Sequence, residues 1–319
     1  MSISILLTGG FGNIGSRLAA LLSNRADLQL RLGSRSAHTA PKWAVRSETA
    51  QLDLSNVQSI EQAVNGIDTI VHLAALNDTE CANNPNLAHE VNVVGTANLV
   101  KCATDAGVQR IIYLSTAHVY GSPLIGRIDE SHPTAPASPY SVTHLEAERI
   151  VADAHTAAKI IGIRIRSGNG FGAPIDPGAR IWHILVNDLC RQASETQELV
   201  LKSYGNQERN FVPLTDLCDA IEHLIGLDAG VVEDGLFNFG ADISHSIWEM
   251  ANRIADRCEQ ILGFKPPITR PPKPLHEIHD RLDYRSDKIR ETGFIPQLKF
   301  DDEIDGLLKF CAREFPYIT

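Results

Sequence analysis

The run Leu6-Leu7-Thr8-Gly9-Gly10-Phe11-Gly12-Asn13-Ile14-Gly15 constrains this chain most. An apolar stretch, Ile3 to Leu7, predicts a buried strand. A glycine turn follows, and then Ile14, Leu18, Leu21 and Leu22 recur at helical spacing. The glycines fall as Gly9-x-x-Gly12-x-x-Gly15. A tight turn, close backbone approach by a pyrophosphate and tight helix-on-strand packing each favour a residue without a side chain. The N-terminus of the helix then offers free N–H groups and a positive dipole end to phosphate. Between a strand and a helix, this spacing points to a dinucleotide site.

The chain has 319 residues, enough for a large core and two lobes. Its net charge of −10 gives no support to a nucleic-acid or anionic-membrane partner. The six cysteines are scattered without a C-x-x-C pair. That argues for reduced thiols in the cytoplasm and against a metal site. No apolar run is long enough to span a membrane, and residues 2–8 read as a strand rather than a signal peptide.

Further strands are predicted at Leu28–Leu32, Thr49–Leu52, Ile67–Leu73, Arg110–Leu114 and Ile160–Ile165. Helical patterns lie between them at Val57–Val64, Leu87–Ala106 and Tyr140–Ala158. The alternation predicts an α/β fold, a doubly wound parallel (Rossmann) sheet, with a smaller C-terminal α/β substrate lobe. The dinucleotide-binding domain is expected over 1–168, with a segment near 211–240 returning to it. The substrate lobe takes 169–210 and 241–319. Beyond Arg166 the pattern suggests a helix at Ile181–Leu189, a short strand at Leu199–Lys202, a helix after Pro213 capped by Thr215 or Asp216, and a loop at Pro266–Pro274.

The second strand ends Arg31-Leu32-Gly33-Ser34-Arg35-Ser36, without the acid that holds a ribose 2′-hydroxyl in many dinucleotide folds. Ser34 and Arg35 suit a 2′-phosphate, so NADP is favoured over NAD. The plainer reading of Arg35 is a solvated loop residue. Asp53 can reach an adenine amino group or cap the helix from Val57. The small residues of Leu73-Ala74-Ala75 would let a nicotinamide ribose approach. His72 reads as a packed strand residue.

The chain resembles the extended short-chain dehydrogenase/reductase family, the nucleotide-sugar epimerases and dehydratases. Carriers of the likeness are the glycine turn, Asp53-Leu54, His72-Leu73-Ala74-Ala75, Asn92-Val93-Val94-Gly95-Thr96, Ser115 to Gly121, Tyr140-x-x-x-His144, Arg166 to Gly172, and Arg209 to Asp216. The resemblance implies NAD(P)-dependent hydride chemistry on a nucleotide sugar, with Thr116 steadying the reacting oxygen and Tyr140 as acid/base. It implies cofactor contacts at Gly9, Gly12, Asn13, Ile14, Gly15, Leu54, Leu73, Asn92, Tyr140 and His144. Substrate contacts fall at Asn77, Thr116, Asn169, Arg209 and Arg281. It also implies a homodimer through the helices Leu87–Ala106 and Tyr140–Ala158.

Two positions depart from the family pattern. His144 stands where the family has a lysine that holds the ribose and lowers the tyrosine pKa. Ala117-His118 stands where the 4,6-dehydratases carry Asp-Glu, so that elimination lacks its usual acid and base. His118 reads either as a single acid/base or as a hydrogen-bonded loop residue. A regulatory or scaffold protein on a degenerate active site is the alternative to an enzyme, and His144 is the feature favouring it.

Overall fold

A computed structural model describes residues 2–274 and 281–317. The strands of its main sheet are β1 (Ile3–Thr8), β2 (Leu28–Ser34), β3 (Ser47–Gln51), β4 (Thr69–His72), β5 (Arg110–Thr116), β6 (Ile161–Ser167) and β7 (Leu236–Phe239). They pair in parallel in the order β7-β6-β5-β4-β1-β2-β3. Parallel strands covered on both faces need near-continuous apolar runs, which is why β1 and β5 read as they do. The longer helices are α1 (Asn13–Leu22), α2 (Val57–Val64), α3 (Gly95–Asp105), α4 (Pro139–Thr156), α5 (Leu185–Glu195), α6 (Leu214–Ile225), α7 (Ile247–Leu262) and α8 (Phe300–Glu314). Leu18 and Leu22 of α1, with Leu217, Ile221 and Leu224 of α6, cover one face of the sheet. Ile60 of α2, Leu99 of α3, and Ala147 and Val151 of α4 cover the other. The order of the strands reverses between β1 and β4, which opens a crevice beyond their carboxyl ends.

A separate cluster of buried side chains joins α5, α7 and α8 through Val186, Leu189, Met250, Ile254, Ile304 and Leu308. Phe171 and Phe211 tie it to the short parallel pair Asn169–Phe171 and Phe211–Pro213. The chain thus leaves the main sheet after β6 and returns to add β7 at its edge. Among the described residues, no helix is long and apolar enough to cross a membrane, and no group of three or more His, Cys, Asp or Glu side chains could hold a metal ion.

Several local expectations are corrected. The helix expected over Leu87–Ala106 is an α-turn (Pro85–Ala88), a π-helical segment (His89–Val94) and then α3. The wider turns accompany an inward Asn92, whose Oδ1 accepts from the Leu76 N–H at 2.8 Å and whose Nδ2 donates to Thr143 Oγ1 at 3.1 Å. The expected helix at Ile181–Leu189 begins only at Leu185, because Ile184 has extended dihedrals. Ile181 is nevertheless buried and Trp182 packs on Phe310 and Phe315, so their apolar character reflects loop packing. Neither Thr215 nor Asp216 caps α6: Thr215 Oγ1 donates to Glu303 at 2.6 Å, and Asp216 Oδ1 accepts from the Gln297 and Leu298 N–H groups. Asp53 does not cap α2 either, since Asn56 does, accepting from the Ser59 N–H. The expected loop at Pro266–Pro274 includes Ile268–Thr269, a strand paired with Leu199–Val200.

Candidate active site

The glycine turn sits at the crevice between β1 and β4. Gly9 has φ +68°, and a Cβ on it would lie 3.1 Å from the Ala74 amide nitrogen. A Cβ on Gly15 would fall 2.2 Å from the Gly9 carbonyl oxygen, so the start of α1 can pack there only bare. Gly12 is the N-cap of α1 and provides no side-chain hydrogen bond. The first-turn N–H groups therefore keep their capacity for an outside anion. Asn13 Oδ1 is buried without a hydrogen-bond partner among the described residues, and Ile14 packs against the core. Thr8 Oγ1 accepts from the Leu73 and Ala74 N–H groups, both at 3.1 Å, which ties the ends of β1 and β4 together; Ala75 follows, exposed.

At the end of β2, Ser34 is half-buried and Arg35 exposed, with no carboxylate in line. Asp53 lies across from them. Its Oδ1 accepts from the Ser55 N–H at 2.9 Å and hydroxyl at 2.7 Å. Those bonds, aided by the Arg35 charge and opposed by burial, hold its carboxyl below the usual range. Leu54 is buried against Gly95, where a Cβ would stand 2.7 Å from Leu54 Cβ.

Deeper in the crevice, β5 delivers Thr116, and its Oγ1 accepts from the His118 N–H at 3.2 Å. Helix α4 starts with a capping box between Ser138 and Ser141 and carries Pro139 in its first turn. This fixed start aims Tyr140 and, one turn on, His144 at the same place; their ring centroids are 4.4 Å apart. Burial pushes the Tyr140 phenol up to about 12, while the Thr116 hydroxyl pulls it the other way. Burial, reinforced by His118, pulls the His144 imidazole down to about 4. His118 is itself lowered, by burial and then by the Arg209 charge. The pocket thus holds a neutral phenol beside a neutral imidazole, with His118 and Arg209 within electrostatic reach.

The other candidates are more dispersed. Asn77 caps the helix Asp78–Asn83, its Oδ1 taken by the Glu80 N–H at 2.9 Å. Asn169 opens a short strand and Arg209 closes another, where burial lowers the guanidinium pKa. Arg281 is exposed, directly after the undescribed residues 275–280, and its carbonyl accepts from the Gly126 N–H at 2.8 Å. Two features escaped the sequence reading. Tyr113 Oη lies 2.7 Å from His144 Nδ1. Glu148, on the same helix as Tyr140, forms a buried ion pair with Arg166 at 2.7 Å. The unusual polar residue within the apolar run Ile111-Ile112-Tyr113-Leu114 was the available signal for the first.

The family model "NAD dependent epimerase/dehydratase family" matches residues 5–240. The chain belongs to that family. A UDP-glucose 4-epimerase of Halalkalibacterium halodurans is 27% identical over 290 residues, covering 85% of this chain and 84% of that protein. A dTDP-6-deoxy-L-talose 4-dehydrogenase (NAD(P)(+)) of Kitasatospora kifunensis is 33% identical over 229 residues, 68% of each chain. Among solved structures, an epimerase of Methanothermobacter thermautotrophicus superposes with a TM-score of 0.80 at 20% identity, covering 98% of this chain and 93% of that one. This last likeness is one of fold.

Proposed function

We propose that this family member is an NAD(P)-dependent epimerase or keto-sugar reductase acting on a nucleoside-diphosphate sugar. The observation that carries the reading is the convergence of Thr116, Tyr140 and His144 beside a glycine cradle at the strand-order reversal. The cradle fits a dinucleotide: the Gly9 and Gly15 positions disfavour a Cβ, and Asn13 Oδ1 and His144 Nε2 are buried polar atoms without partners among the described residues. Bound there, the nicotinamide would supply hydride acceptance and return. Residues Gly9 to Gly15 would hold the pyrophosphate, Asp53 the adenine side, and Leu73 to Ala75 the nicotinamide ribose side. Asn92 braces the same region through Leu76.

Tyr140 exchanges the proton of the reacting hydroxyl, and Thr116 donates to the developing oxyanion. Neutral His144 holds a ribose hydroxyl. Asn77, Asn169, Arg209 and Arg281 are assigned to the nucleotide-sugar side, and His118 to the sugar ring. The Ala117-His118 pair disfavours a 4,6-dehydratase. We favour NADP, on the absence of an acid at Ser34 and the free reach of Arg35. The domain division is 1–168 with 211–240 for dinucleotide, and 169–210 with 241–319 for substrate. Six buried cysteines, none in a disulfide, support a cytoplasmic setting.

Incubation with UDP-, dTDP- and GDP-sugars, with NAD or NADP(H), tests this reading. Interconversion or reduction of at least one is expected. A chain that binds dinucleotide yet turns over none of them supports the second reading, a regulatory dinucleotide sensor. His144 favours that alternative, because the lysine it replaces would place a positive charge beside Tyr140.

A further inference from the structure

His144 presents two ring nitrogens to different surroundings. Nδ1 meets Tyr113 Oη at 2.7 Å, while Nε2 is buried without a hydrogen-bond partner among the described residues. Tyr113 is 2% exposed and His144 4%. The proton positions on this pair follow from what else is within reach.

His72 is the nearest other ring to Tyr113, at 5.5 Å between centroids, and both its nitrogens are committed. Thr8 Oγ1 already accepts two backbone N–H groups, so its own proton goes to His72 Nδ1 at 2.7 Å. Thr96 Oγ1 donates to the Asn92 carbonyl at 2.6 Å, so it accepts from His72 Nε2–H at 3.0 Å. His72 therefore has no acceptor left for the Tyr113 hydroxyl. Among the described residues, His144 Nδ1 is the hydrogen-bond partner of that hydroxyl. If Nδ1 carried a proton, the phenol proton would be stranded in the core, at a cost of about 1–3 kcal/mol. The arrangement that satisfies both groups has Tyr113 donating to Nδ1. The imidazole proton then sits on Nε2.

We propose that Tyr113 is a positioning residue that locks His144 in the Nε2–H tautomer, so that the imidazole offers a hydrogen-bond donor to a ribose hydroxyl oxygen of the dinucleotide. Without Tyr113, the imidazole is free to present a lone pair in the same place, which cannot substitute for an ammonium donor. The tautomer is a property of the chain alone; the ligand it serves rests on the function proposed above. Tyr113→Phe keeps the ring that fills the core and removes only the hydroxyl.

The test is nitrogen-15 NMR of the histidine rings in ligand-free protein at neutral pH, with His144 assigned by loss of its signals in His144→Gln. The expected wild-type spectrum has a protonated Nε2 coupled to both carbon-bound ring protons, and an Nδ1 shifted as a hydrogen-bond acceptor. Tyr113→Phe is expected to move Nδ1 to the position of an unbonded ring nitrogen and admit the other tautomer. Calorimetry with NADP and NAD should then show roughly fivefold to tenfold weaker binding in Tyr113→Phe, the loss of about one oriented hydrogen bond. An Nδ1–H form in the wild type overturns the proposal, and does so even if Tyr113→Phe fails to fold. So does a Tyr113→Phe spectrum and affinity unchanged from wild type. If the Nε2–H signature depends on Tyr113 while neither dinucleotide binds, the ribose role and the dinucleotide function fall and the Tyr113 assignment stands.

Discussion

His144 changes what its neighbour Tyr140 can do. A lysine would place a fixed positive charge beside the phenol and favour tyrosinate, whereas a neutral imidazole offers orientation with little charge. His144→Lys is therefore expected to retain dinucleotide and to turn over as fast as wild type or faster at alkaline pH. Loss of turnover with the fold and dinucleotide binding intact would instead assign the imidazole a proton-transfer role. Burial of His144 and His72 has a second effect. Their pKa values fall to about 4 and about 3 by burial foremost, against ~6.5 in the unfolded chain. Below ~6.5 the unfolded chain binds more protons, so stability is full above that pH and declines as pH falls toward the folded values. His144 alone accounts for a loss on the order of 3 kcal/mol by pH ~4. Urea midpoints from pH 7 to 5 should fall more steeply in wild type than in His144→Gln; parallel slopes would refute the assignment. For Arg35, replacement by Ala should weaken NADP by about 1.5–3 kcal/mol, the range for a hydrogen bond to a charged group, and leave NAD nearly unchanged. Calorimetry with both cofactors decides it, and equal weakening rules out the 2′-phosphate role.

The β1–α1 turn shows how far single elements can be argued from sequence. Its glycines act through backbone geometry within seven residues, so their spacing, placed between a strand and a helix pattern, announced the turn. Gly15→Ala forces a Cβ to 2.2 Å from the Gly9 carbonyl oxygen. The turn must open, and dinucleotide affinity should fall at least tenfold by calorimetry; unchanged affinity would mean that the turn does not hold the pyrophosphate. Strands β1 to β6 and Tyr140 at the head of α4 were legible for a similar reason, since short strand patterns and a Pro-led helix start are local signals; β7, which joins the sheet only through its pairing with β6, was not read as a strand. The π-helical segment was not legible either. It accompanies an inward Asn92, whose partners Leu76 and Thr143 come from other parts of the chain. The late start of α5 and the Tyr113–His144 bond are likewise decided by tertiary neighbours that periodicity cannot register.

At the scale of the whole molecule, the surface of the α-turn, the π-helical segment and α4 keeps large apolar side chains outside: Leu87 is 42% exposed, Val94 44% and Val142 37%. His89 and Glu146 pair at 3.6 Å across the same surface. We propose that this face meets its copy in a homodimer. Light scattering at micromolar concentration should give twice the 34.9 kDa of one chain, and Val94→Asp should shift the species to monomer. A wild-type monomer would remove the proposal. The edge strand β7 has a consequence for biosynthesis. Its residues, Leu236–Phe239, emerge long after β6 ends at Ser167, and Arg164 of β6 donates to the Asp234 carbonyl just ahead of β7. While the intervening segment is being made, β6 stands at the margin with its outer row of peptide groups unpaired. A ribosome that stalled near residue 210 would hold a nearly complete sheet with one sticky border, a template for pairing with a neighbouring nascent chain.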